Sequence, residues 1–203
     1  MKRSFAILIA TVAVLGAHSA SAQDIEPGPG TLEVTVIPGG GTFFTSKNGA
    51  PTFGNYTYGG TVTYNVNHIV GVEGEVGSSV GIAQDLAFAG RTANIKTPTT
   101  LDYSANVVIS APTHSSVVPY ATAGVGGLTL FDRPSLGITT TDSYLTGNVG
   151  GGLKWYAPNG RWGVRGDYRF IAVRGKDDGA PFLGLDNRYA HRVYGGVIIN
   201  AIR

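Results

Sequence analysis

The stretch Tyr56-Thr57-Tyr58-Gly59-Gly60-Thr61-Val62-Thr63-Tyr64-Asn65-Val66-Asn67-His68-Ile69-Val70-Gly71-Val72-Glu73-Gly74-Glu75-Val76-Gly77-Ser78-Ser79-Val80 decides how the chain is read. Side chains alternate faces along a strand. Tyr56, Tyr58, Val62, Tyr64 and Val66 therefore share one face, and Thr57, Thr61, Thr63 and Asn65 the other. After a tight turn at Asn67-His68, Val70, Val72, Val76 and Val80 oppose Glu73, Glu75 and Ser79. Each strand thus has an apolar and a polar side. A soluble sheet with one wet face could carry this pattern, and so could a barrel whose outside meets lipid.

The same alternation recurs to the end of the chain. Leu32, Val34 and Val36 alternate with Glu33 and Thr35 in a first strand that runs through the Gly39-Gly40-Gly41 triplet to Phe43-Phe44. Leu101, Tyr103, Ala105, Val107 and Ile109 oppose Asp102, Ser104, Asn106 and Ser110 in a fourth. A fifth, Val117 to Phe131, is apolar and glycine-rich, and its faces cannot be assigned. The sixth places Leu145, Val149, Leu153 and Trp155 outward with Asn148 and Lys154 inward. The seventh sets Trp162, Val164, Tyr168 and Phe170 against Arg165, Asp167 and Arg169. The eighth runs from about Tyr189 to Ile202. Connections alternate in length: residues 45–55, 83–101, 132–142 and 175–188 are long loops, whereas Asn67-His68, Pro112 to Ser116 and Pro158-Asn159-Gly160 are short turns. Short turns at one end and long loops at the other are the rhythm of an outer-membrane barrel. No amphipathic helical period of useful length follows the first 22 residues.

Met1-Lys2-Arg3, the apolar run Phe5 to Ala17 and Ala20-Ser21-Ala22 read as a secretory signal over residues 1–22, too short to span a bilayer as a helix. Residues 23–30 form a short periplasmic leader and 31–203 the barrel domain. Of 15 Lys+Arg and 13 Asp+Glu, only Lys2 and Arg3 fall in the signal, so the exported chain carries 13 of each sign. That balance offers no basic footprint for nucleic acid. With no cysteine, disulfides, thiolate metal sites and Cys nucleophiles are excluded.

The chain resembles the small outer-membrane β-barrel proteins of the OmpA-like and opacity-like kind. The resemblance rests on Val118-Pro119-Tyr120 leading into Ala123-Gly124-Val125-Gly126, on Gly150-Gly151-Gly152-Leu153-Lys154-Trp155-Tyr156, and on Gly163-Val164-Arg165-Gly166-Asp167-Tyr168-Arg169. It covers nearly all of the exported chain and implies insertion by the outer-membrane assembly machinery. It also implies a terminal aromatic residue that assists assembly, and here the chain departs, reading Asn200-Ala201-Ile202-Arg203. The resemblance is to the barrel alone, without a peptidoglycan-binding domain.

The expected fold is an all-β, eight-stranded antiparallel up-and-down transmembrane β-barrel. In a barrel of this size the interior is just wide enough for side chains to fill. Glu73, Glu75, Lys154, Arg165, Asp167 and Arg169 are then expected to form a lumen network of ion pairs, with Glu73 and Glu75 meeting Arg165, Arg169 or Lys154, because a buried charge persists only when paired. Tyr56, Tyr58, Tyr64, Trp155, Trp162, Tyr168 and Phe170 suit an interfacial aromatic girdle, each Tyr and Trp ring having an apolar body and a polar tip. His114-Ser115-Ser116 lacks a carboxylate to orient the histidine, and the scattered histidines make no metal site, so no catalytic, cofactor or metal residue is expected. The expected function is a non-enzymatic integral surface protein contributing to envelope integrity or adhesion. Its expected partners are outer-membrane lipid or lipopolysaccharide, the assembly machinery, and a surface ligand held by loops 83–101 and 175–188. A soluble periplasmic calyx-like barrel for a small apolar ligand, with its charges in water, is the main alternative. A lipid A-modifying enzyme is a further one.

Overall fold

A computed structural model describes residues 28–202 apart from 46–49, 89, 114, 137, 178–181 and 184. The expected signal, most of the leader and His114 lie outside the described residues. Ten strands are described: β1 (Leu32–Phe44), β2 (Phe53–Asn65), β3 (Val70–Gly81), β4 (Ala83–Phe88), β5 (Arg91–Lys96), β6 (Thr100–Ser110), β7 (Val117–Leu130), β8 (Asp142–Tyr156), β9 (Trp162–Val173) and β10 (Arg188–Ile202). Eight of them close into an antiparallel barrel in the order β1-β10-β9-β8-β7-β6-β3-β2. Each barrel strand neighbours the one before and after it, an up-and-down path that leaves no open edge. β4 and β5 stand apart as a two-stranded hairpin.

That hairpin is the main departure from the sequence reading, which takes residues 83–101 as loop. Its pairing runs from Ala83↔Lys96 to Phe88↔Arg91, and Gly90 turns it at φ 75°. A left-handed φ of this kind suits the primed turns that match strand twist. The connection between β2 and β3 is also wider than two residues, spanning 66–69. There the Asn67 side-chain oxygen accepts from the Ile69 and Val70 amides at 2.8 and 2.7 Å, an Asx turn. Gly160, at φ 58°, turns the Pro158-Asn159-Gly160 connection.

The Tyr and Val face of β2 and β3 points outward, with Tyr56, Tyr58, Val62, Tyr64, Val66, Val72 and Val76 all exposed. Thr57, Thr61, Thr63, Glu73, Glu75 and Ser79 point into the lumen and are buried. The core therefore lies inside the barrel, and the charged faces surround the axis. That is the reverse of a calyx with an apolar interior. On β1 the inward set changes parity. Glu33, Thr35 and Ile37 are buried below the glycine triplet, and Thr42 and Phe44 above it. The pairing of β1 shifts between Ile37 and Gly40 against β2, and between Val36 and Gly39 against β10. A bulge adds one residue to a strand and so exchanges its two faces.

Candidate functional site

The lumen is filled in three layers. At the short-turn end, Glu33 of β1 receives Lys154 Nζ at 2.6 Å, the Tyr156 hydroxyl at 2.9 Å and the Asn65 amide at 3.1 Å. Val118, Tyr156 and Ile198 form a small apolar cluster at that end. Lys154 thus pairs with Glu33 rather than with Glu73 or Glu75.

The middle layer is a continuous charge network. Arg165 donates to Glu73 and Asp167, each at 2.6 Å. Arg169 donates to Glu73 at 2.7 Å and to Asp167 at 3.0 Å, and lies 3.1 Å from Glu75. Arg165 and Arg169 alternate with Asp167 on one face of β9, so a single carboxylate sits between two guanidinium groups. Glu73 and Glu75 face them from the opposite wall on β3. The Tyr120 hydroxyl donates to Asp167, and the Arg165 guanidinium lies over the Tyr120 ring at 4.9 Å. The network continues upward through Arg192, which donates to Glu75 at 3.1 Å and lies 2.8 Å from Asp102. Side-chain exposure of Glu73, Arg165 and Asp167 is 0 %. Charges this deep need every partner, since desolvation costs several kcal/mol per ion. A cavity of about 20 Å³ beside Glu75, Asp102, Arg169 and Arg192 has room for about one water molecule.

The third layer closes the long-loop end. Phe44, Phe53, Leu128, Leu130, Tyr144, Ile171, Val173 and Ala190 line the mouth, and Leu86, Ile138, Phe182 and Leu183 from the connections pack among them. Phe44 and Phe53 stack at 4.6 Å, and Phe182 lies 5.0 Å from Phe53. Arg188 is buried here, donating to the carbonyls of Thr45 at 3.1 Å, Phe182 at 2.7 Å and Pro51. Its guanidinium lies 5.2 Å from the centre of the Phe53 ring. One side chain thereby ties the first and last long connections to the mouth.

All six sequence-selected lumen residues converge in the lower and middle layers. Sequence reasoning did not select Glu33, Asp102, Tyr120, Arg188, Arg192 and Tyr194, the last buried with its hydroxyl donating to Glu75 at 3.3 Å. Glu33 and Asp102 do occupy polar positions in alternating strands, a usable signal. Arg192 and Tyr194 carried none, because the inward face of β10 also holds Ala190 and Ile198. Of the selected aromatics, Tyr56, Tyr58, Tyr64, Trp155, Trp162 and Tyr168 are exposed on the outer wall. Phe170 also faces outward but is half-buried, stacked on Tyr189 at 5.4 Å. Trp155 and Trp162 meet edge to face at 5.5 Å. Among the described residues no group of His, Cys, Asp and Glu could hold a metal ion.

An apolar exterior with exposed Tyr and Trp side chains and a lumen packed with its own side chains define a class, the small eight-stranded barrels of the outer membrane. The chain matches the model of the outer membrane protein beta-barrel domain over residues 8–190 and belongs to that family. Solved structures of the same fold include Neisserial surface protein A, at 12% identity and a TM-score of 0.60, covering 86% of this chain and 99% of that one. OprG from Pseudomonas aeruginosa matches at 15% identity and 0.54, covering 89% of this chain and 100% of its own. Ail, the attachment invasion locus protein of Yersinia pestis, in complex with the heparin analogue sucrose octasulfate, matches at 15% and 0.53, covering 85% and 99%. The comparison with curated proteins found no match. The protein is an outer-membrane β-barrel, which sets its long connections in the extracellular space and its short turns in the periplasm.

Proposed function

We propose that the protein is a non-enzymatic surface protein whose barrel is a closed anchor and whose extracellular connections carry its role, in adhesion or in maintaining the envelope. The observation that carries this reading is the charge network of Glu73, Asp167, Arg165 and Arg169, which spans the lumen with almost no exposure. A path for solute through it would leave several buried charges unpaired, at a cost far above thermal energy. The apolar cluster at the extracellular mouth adds a second seal. The adhesive half of the reading draws on analogy of fold: Ail, named for attachment and invasion, has a barrel of the same fold. The expected partners in the wall are outer-membrane lipid and lipopolysaccharide, with the outer aromatic residues at the headgroup level.

Two measurements test the reading. Purified protein in planar bilayers is expected to give no steady conductance, and a steady ohmic pore would refute a sealed lumen. Cells carrying the protein are expected to adhere to protein-coated surfaces, or to resist envelope-disrupting detergent, better than cells lacking it. Equal behaviour in both assays would refute the surface role.

A further inference from the structure

We propose that the free edge of β5 is a docking strand, taking an extended acidic segment of a partner protein as a third strand of the β4–β5 hairpin. The inference rests on the surface role proposed above and names the place and the chemistry of contact.

Two residues separate Phe88 from Arg91, which face each other across the hairpin. A two-residue hairpin closes on a hydrogen-bonded pair, and along an antiparallel ladder such pairs alternate with non-bonded ones. Phe88/Arg91, Leu86/Ala93 and Gln84/Ile95 therefore exchange bonds within the hairpin. Thr92, Asn94 and Lys96 turn their N–H and C=O groups away from β4, and among the described residues no strand pairs with that edge. Apart from the half-buried Ile95, every side chain of β5 is exposed.

The hairpin is held firmly enough to act as a template. Leu86 is buried in the apolar cluster at the mouth, and Ile95 packs against it. The Gln84 amide accepts from Gly54 N at 3.1 Å and donates to Gly54 O at 2.7 Å, binding β4 to the head of β2. At its base, the Thr97 hydroxyl donates to Asn55 at 2.6 Å. A strand fixed beforehand loses little freedom when a partner pairs with it.

Edge strands are usually blunted by proline, a bulge or a covering element. β5 has no proline and its six pairs run without a shift. What it has is charge, with Arg91 at one end and Lys96 at the other, while the acid of the hairpin, Asp85, lies on β4 and accepts from Asn94 at 2.9 Å. In antiparallel pairing with a second copy, outward residues would meet outward residues, Asn94 opposite Asn94 and Lys96 opposite Thr92, and β5 carries no acid to set against either cation. An incoming strand with acids five positions apart would meet both cations favourably, while its main chain bonds to Thr92, Asn94 and Lys96.

The test uses full-length protein in lipid nanodiscs and a fluorescent ten-residue Thr/Val peptide with Glu at its third and eighth positions. Anisotropy is expected to show binding, weaker by about tenfold or more for the peptide with Lys at those positions. Thr92→Pro removes an outward N–H without breaking the hairpin ladder and is expected to weaken binding of the acidic peptide by about tenfold. Arg91→Glu with Lys96→Glu is expected to reverse the preference, favouring the Lys peptide. Equal binding of the two peptides, binding unaffected by Thr92→Pro, or no binding of either peptide overturns the docking strand. Whole cells separate this failure from that of the surface role. Adherence that requires the protein but is unchanged by Thr92→Pro overturns the docking strand alone. Adherence and detergent resistance that are the same with and without the protein overturn the surface role, and the docking strand with it.

Discussion

The middle and the extracellular layers of the lumen close the same tube by opposite chemistry. In the middle, Glu73, Glu75, Asp102, Asp167, Arg165, Arg169 and Arg192 all come from strands, and each charge has a partner within hydrogen-bond or ion-pair reach. At the mouth, Leu86, Ile138, Phe182 and Leu183 come from the connections and pack as an apolar cluster, with Arg188 held by carbonyls. Ion pairs demand particular partners at fixed register, which a rigid barrel supplies. Apolar packing asks only for volume and shape, which connections of varied sequence can meet. The difference teaches that specificity sits deep in this barrel and tolerance near its surface.

The comparison makes its strongest claim about Arg165. Arg165→Met leaves Glu73 and Asp167 short of a cation and is expected to lower stability by about 3–5 kcal/mol, measured by urea unfolding in lipid vesicles. Combining it with Glu73→Gln should cost less than Arg165→Met alone, since one of the stranded charges goes with it. A double variant as unstable as the sum of the singles would break the idea of a coupled network. Phe182→Ala at the mouth is expected to cost about 3 kcal/mol and to speed protease cleavage of the connection between β9 and β10 on intact cells. If cleavage does not change, Phe182 does not hold that connection in place. On the outer wall, a double-mutant cycle on Trp155 and Trp162 should return a coupling of about 1 kcal/mol. A value near zero would show that the edge-to-face contact is incidental. The smallest effect concerns salt: raising ionic strength should barely alter unfolding, because buried pairs are screened far less than exposed ones. A steep salt dependence would mean that water reaches the middle layer.

The barrel was legible in the sequence wherever its interior is polar. Glu73, Glu75, Arg165, Asp167 and Arg169 lie opposite Tyr and Val on the outer face, so a period of two exposes both faces at once. The reading failed where the interior turns apolar. On β7, Tyr120, Leu128 and Leu130 point inward while Val117 and Val125 point outward, and both faces look alike. The same mixture hid Arg192 and Tyr194 on β10. Phe182-Leu183 stood out as an apolar pair in a charged connection, but nothing in the sequence says that such a pair folds back over the mouth. The β4–β5 hairpin was missed because Ala83, Ala87, Ala93 and the short polar side chains between them blur the alternation that marks a strand.

The bulge in β1 bears on how the barrel comes together. β1 and β10 are the first and last strands, so pairing them closes the largest loop in the chain, and contacts so distant in sequence form slowly. Their ladder is also broken, shifting between Leu32 and Glu33 and again between Val36 and Gly39, while the β8–β9 and β9–β10 ladders run without a shift. A zipper that must restart twice gains its hydrogen bonds in short runs rather than in one sweep. The seam is therefore expected to be the last stitch of assembly, joined after the hairpins on either side of it are in place.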